Sequence, residues 1–538
     1  MKKYNILSIL LSAALIFGCA QEIDELKEPE TEGDPTGSLG ATIDVSNFVT
    51  IGNSLVAGYQ ANALFTDGQN ESIGKIIHQQ MVYAGATGDF NQPDINSENG
   101  FSGFIPSTTI PLGRLILYDP DGTGPRSAGP AAAATPARDA SGDAPCNTLA
   151  TPAVPAPYNT ASSPLAAGWA YTGNKAELNN FGVPGITVGE LLVPTSPNPA
   201  FSTYYLGRFA TNPGTSTILG DAIATNPTFF LLEIGNNDIL GYATGGASNP
   251  SILTSQSDFN TRYNGVIATL LGNLPNAEGV VANIPNVTTI PFFFTVKWNA
   301  IPLDATTAAT VTTSLATPYN GFLQAMVTNG IIDAEEAAKR TLTYTASATN
   351  SILISDEDLT DLSPYMTGPA AALAPYAKAR QTTANDLITL TAGSVLGTCV
   401  GGNPQAINGV TMPLGDQYVL TPAETQQILT RTAEFNAIIA GAVAANNTKL
   451  ALADVNTAFT NFVATKGTVV NGILLTPSIT PPYAGFSEDG VHPNGRGYAF
   501  LANIFIDAIN AKFGSTIPKA NITHYRGTRT PITPTGSY

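Results

Sequence analysis

Short apolar runs alternate with longer amphipathic stretches along much of this chain. "NFVTIGNS" (47–54) is an apolar run that stops at a Gly-Asn-Ser turn, and it predicts a buried strand. "SIGKIIHQQMVYAGA" (72–86) has helical spacing. "FGVPGITVGELL" (181–192) reads as a strand end, a turn and a helix start. "PTFFLLEIGNNDIL" (227–240) is a buried strand leaving into a polar turn, and "AEGVVANIPNVTTIPFF" (277–293) is another strand entering a loop. Between them "SDFNTRYNGVIATLLGNL" (257–274) is an amphipathic helix opening on Ser257 and Asp258. Late in the chain, "LTPAETQQILTRTAEFNAIIAGAVAANN" (420–447) predicts a long helix, with Thr421 as cap and Pro422 at its first position. "TKLALADVNTAF" (448–459) reads as a strand running into a loop, and "NGRGYAFLANIFIDAINAKF" (494–513) as a final amphipathic helix.

Strands alternating with helices imply an α/β fold with a mostly parallel sheet covered on both faces. Two long insertions, about 86–175 and 296–417, interrupt the rhythm. The first is rich in Gly, Pro, Ala and Thr and reads as irregular; the second has helical pieces such as "DAEEAAKR". A polar tail, 516–538, follows the last helix and reads as loosely held. In open parallel sheets the site lies beyond the carboxyl ends of the strands. Ser54, Gly185 and Asn237 all follow predicted strands there.

The N-terminus changes the picture. Lys2 and Lys3 precede an apolar stretch, 5–18, that is too short to span a bilayer and ends in Gly18-Cys19. This resembles a bacterial lipoprotein signal (1–18), cleaved before Cys19 with lipidation of its thiol. The acidic segment after it resembles the surface-export signals of Bacteroidetes lipoproteins, and 19–44 reads as a solvated tether. The resemblance implies an outer-membrane lipoprotein on its periplasmic or cell-surface face. No later segment reads as long and apolar enough to cross a membrane.

Hydrophobic content of 43% against 12% charged residues favours a folded chain. The net charge of −17 argues against nucleic acid and against adhesion to anionic lipid, so the expected membrane link is the lipid alone. Beyond Cys19 only Cys146 and Cys399 remain, a candidate disulfide in an exported protein. Widely spaced histidines and cysteines make no zinc pattern, and no metal site is expected.

Three histidines are present. His78 lies within a predicted helix and His524 in the tail. His492 stands in "GFSEDGVHPNGRGYAF" with Asp489 three residues ahead, a turn that brings a carboxylate to an imidazole without a long-range partner. Taken singly, each candidate has an ordinary reading: Ser54 as a helix cap, Gly185 and Asn237 as turn residues. Together, "GNSL" (52–55), "GVPG" (182–185), "GNND" (235–238) and "DGVHP" (489–493) occur in an order that resembles the SGNH/GDSL hydrolase superfamily. Only the usual aspartate of the first block differs, being Asn53 here.

The resemblance implies a flavodoxin-like three-layer α/β/α hydrolase domain over 45–515. It implies Ser54 as nucleophile, His492 as base and Asp489 as its carboxylate partner. The Ser54 and Gly185 amides and the Asn237 side chain would form the oxyanion hole. No cofactor is required by that chemistry. The expected substrate is a small-molecule, lipid or glycan ester. An α/β-hydrolase elbow is disfavoured, because Val56 stands where Gly-x-Ser-x-Gly needs its second glycine. The alternative is a surface lipoprotein of the same fold that binds a glycan or protein without catalysis.

Overall fold

Five parallel strands form the central sheet: β1 (Phe48–Gly52), β2 (Asn180–Gly182), β3 (Phe229–Glu233), β4 (Glu278–Ala282) and β5 (Leu450–Ala453). Their order is β2-β1-β3-β4-β5. Thr50 pairs with Asn180 on one side and Leu231 on the other, and Leu232 continues the register to Val281. Every residue of β1 and β3 is buried, so both faces of the sheet centre are covered. That explains why these strands read as continuous apolar runs rather than alternating ones. The computed structural model describes residues 35–105, 107–119, 126–129, 154–156, 158–166, 168–194, 201–533 and 536–537.

The helices around the sheet are α1 (Ser54–Ala57), α2 (Ile73–Tyr83), α3 (Ile218–Ala224), α4 (Asn237–Thr244), α5 (Gln256–Asn273), α6 (Pro422–Ala445), α7 (Val455–Ala464) and α8 (Gly495–Phe513). One group, α2 and α8, packs together and against the sheet; α3, α5 and α6 form another in series. Phe259 of α5 stacks on Phe435 of α6 at 3.9 Å between ring centres. The Thr421 cap is present as a full capping box with Glu424. Helix α5 is capped by Ser255, which accepts from the Asp258 amide, so the start lies two residues ahead of the expected Ser257.

Several expectations are corrected. The segment after β5 is not a loop but α7, opened by the Asp454 carboxylate accepting from the Thr457 amide. By length and composition α6 is apolar enough to cross a membrane. Its apolar stripe is already used inside the protein, where Ile428, Phe435 and Ile439 are fully buried. Residues 38–43 of the expected tether, 19–44, belong to the folded body. Ser38 and Thr42 bond to Thr516 and Phe513, and Ile43 and Val45 are buried, because the acidic run stops at Asp34 and apolar residues resume.

The C-terminal segment is not loosely held. Ile517 and Ile522 are buried, Arg526 pairs with Asp67 and Glu71, and Ile532 pairs with Tyr118. Of the first insertion, Phe90, Ile95 and Phe101 join the main core, although this region reads as irregular. The second builds a core of its own around Ile301, Tyr319, Leu323, Leu353 and Ile354, with Arg380 buried between Asp356 and Asp386.

Candidate active site

Strand β1 ends at Gly52, where a side chain is sterically forbidden: a Cβ would lie 2.0 Å from the Glu233 carbonyl oxygen. The close approach of β1 and β3 lets the chain turn at once into α1. Asn53 caps that helix, its Oδ1 accepting from the Leu55 amide at 2.9 Å. Ser54 is therefore the first helical residue, and its hydroxyl is free of capping work.

The Ser54 hydroxyl meets His492 Nε2 at 3.0 Å, and His492 Nδ1 meets Asp489 Oδ2 at 2.8 Å. Asp489 is fixed by further donors. Its Oδ1 accepts from the Val491 and His492 amides, each at 2.8 Å, and its Oδ2 accepts from the Asn62 amide at 2.7 Å. Burial pushes the Asp489 carboxyl up, but His492 and these amides more than offset it and hold the group below the usual carboxylate range. An ionised carboxylate at Nδ1 leaves Nε2 as the proton acceptor toward Ser54. The Tyr59 ring lies 4.9 Å from the imidazole centre, and Ser487 accepts from the Ala61 amide, tying the histidine loop to the chain after α1.

Gly185 and Asn237 sit on the loops leaving β2 and β3, the two strands that flank β1. Gly185 is exposed with φ +84°, a left-handed conformation that favours glycine, and the space where its Cβ would lie is open. Asn237 opens α4, and its Nδ2 donates to the Ile186 carbonyl at 2.9 Å, which joins the two loops. Asp238, fully buried, does the same work with both carboxylate oxygens. It accepts from the Val188 amide and the Thr254 hydroxyl, each at 2.9 Å. Burial pushes its carboxyl up to about 6, against the pull of those bonds.

Sequence reasoning gave Asp238 and Glu233 no role, although both fall in or beside "GNND". Glu233 is buried behind the serine turn, with Oε1 accepting from Asn236 at 2.7 Å. Burial pushes it up to about 8, while Asn236 and Asn53 pull it down. The Asn53 amide faces Glu233 without completing a hydrogen bond: Asn53 Nδ2 and Glu233 Oε2 are both buried and unpartnered.

His78 sits on α2 against Phe90, its imidazole pushed down chiefly by burial, and His524 ends a short turn in the docked C-terminal segment. Neither belongs to the constellation. Cys399 is disulfide-bonded; Cys146 and the candidate lipidation site Cys19 lie outside the described residues. The chain matches no protein-family model, no curated protein and no solved structure.

Proposed function

We propose that this protein is a lipid-anchored serine esterase or lipase of SGNH/GDSL type, with the flavodoxin-like three-layer fold of that superfamily. The observation that carries the reading is the hydrogen-bond chain Ser54–His492–Asp489 at 3.0 and 2.8 Å. The strand order β2-β1-β3-β4-β5, with its candidate site beyond the carboxyl ends of the central strands, supports it.

In this reading His492 Nε2 takes the Ser54 proton as Oγ attacks the ester carbonyl carbon. The amides of Ser54 and Gly185 and the second Nδ2 hydrogen of Asn237 stabilise the oxyanion of the tetrahedral intermediate. His492 then returns the proton to the departing alkoxide, leaving an acyl-serine. Water, deprotonated by the same imidazole, releases the carboxylic acid and restores Ser54. The buried, ionised Asp489 offsets the charge of the transient imidazolium. Anchoring through a lipidated Cys19 places the enzyme at a bacterial outer membrane.

A fluorophosphonate probe tests the chemistry. The intact protein is expected to be labelled, and Ser54→Ala to lose the label. His492→Ala is expected to lower ester turnover by orders of magnitude. Absence of both labelling and hydrolysis across short and long p-nitrophenyl esters would return the non-catalytic binding reading.

A further inference from the structure

An apolar cleft is lined by residues that adjoin Ser54 and His492 along the chain. Leu55, the residue after Ser54, lines it, as do Val491 and Pro493 on either side of His492. It continues between α7 and α8, where Phe459 and Ile504 face it, and reaches Phe486. Apart from glycines, every lining side chain is apolar, and the cavity between them amounts to about 90 Å³. No side chain in those walls can hydrogen-bond a sugar or neutralise a charged group. A saturated hydrocarbon chain, by contrast, would lose no hydrogen bond on entering.

We infer that this cleft binds the acyl chain of the ester, so that the enzyme is selective for acyl groups longer than acetyl. The inference rests on the serine-hydrolase reading above. The acyl carbon is the atom bonded to Ser54 Oγ between the two half-reactions, and the cleft begins at the adjacent residue. A chain seated there stays held after the alcohol has left, through attack by water. The segment 290–294, "IPFFF", contributes less than its composition suggests: Ile290 lines the cleft, whereas Phe292 and Phe293 are core residues and Phe294 is exposed.

The test is a series of p-nitrophenyl esters from acetate to decanoate, each kept below the concentration at which it aggregates. With a constant leaving group, kcat/KM is expected to rise about fourfold per added methylene until the cleft is filled. Ile504→Trp, which fills the cleft, is expected to flatten the series, removing most of the gain from acetate to decanoate. Phe459→Ala, which widens it, is expected to move the optimum to longer chains, and it decides the matter should Ile504→Trp fail to fold. A flat series in a wild-type protein that labels at Ser54 would overturn the acyl assignment alone. So would a rise untouched by both variants, or a gain seen only when acetate esters of longer alcohols are compared. Failure of the wild type to label would overturn the serine-hydrolase reading itself, and this inference with it.

Discussion

Asn53 and Glu233 form a neutral contact behind the serine turn. With its carboxyl pushed up to about 8 by burial, Glu233 is mostly protonated at neutral pH. An aspartate at position 53 would set a second carboxylate against it, and two such groups cannot both ionise cheaply. Asn53→Asp keeps the acceptor for the Leu55 amide, so turnover at pH 6 is expected to stay within about tenfold of wild type. Its stability is expected to fall more at pH 8.5 than at pH 5.5, as read by thermal melts. An equal loss at both values would mean that charge is not the cause. At this scale the sequence was most informative where chemistry is local: Asp489 and His492 are three residues apart and close on each other. Ser54 was ambiguous as cap or nucleophile because a serine suits both. The cap belongs to Asn53, a neighbour whose side chain has the same acceptor geometry.

Among the elements, Asp238 couples the loop after β2 to the start of α4 and to Thr254. Asp238→Ala leaves the buried Val188 amide without its acceptor and is expected to cost about 1–3 kcal/mol in denaturant melts. Since Val188 stands three residues beyond Gly185, kcat is expected to fall with little change in KM. Asp238→Asn, whose amide oxygen still accepts, is expected to keep most of both. Unchanged stability and rate in the alanine variant would remove the coupling role. Four of the five sheet strands were legible as apolar runs, because strands buried in the sheet carry few polar positions to interrupt them; β2, only Asn180–Gly182, showed as no more than a strand end before a turn. Helix α7 was not, since it opens on Val455, Asn456 and Thr457, poor helix formers that are held here by the Asp454 cap and by packing on α8. The core of the second insertion was hidden for another reason: its strands are two to four residues long, too short for any period to show.

For the molecule as a whole, buried carboxyls set the response to pH. Glu233 and Glu424 are pushed up to about 8, Glu488 to about 7, and Asp238 and Asp416 to about 6. Burial is the first cause in each, and neighbouring Glu357 adds like charge at Asp416 and Glu424. Each folded value lies above that of the unfolded chain, so these carboxyls hold more protons in the folded state and their contribution to stability declines as pH rises through about 4 to 8, opposed by the single depressed imidazole of His78. Thermal melts are expected to give a higher Tm at pH 5.5 than at pH 8. Glu424→Gln, which preserves the capping box, is expected to flatten that slope. A Tm that rises over this interval would refute the account.

The bond between Ser38 and Thr516 also has a topographical consequence. Thr516 lies just past the C-terminal end of α8, whereas His492 precedes its N-terminal end. The helix between them is 19 residues long, about 28 Å from end to end. The polypeptide thus joins the folded body at one end of α8, and the hydrogen-bonded Ser54, His492 and Asp489 lie at the other.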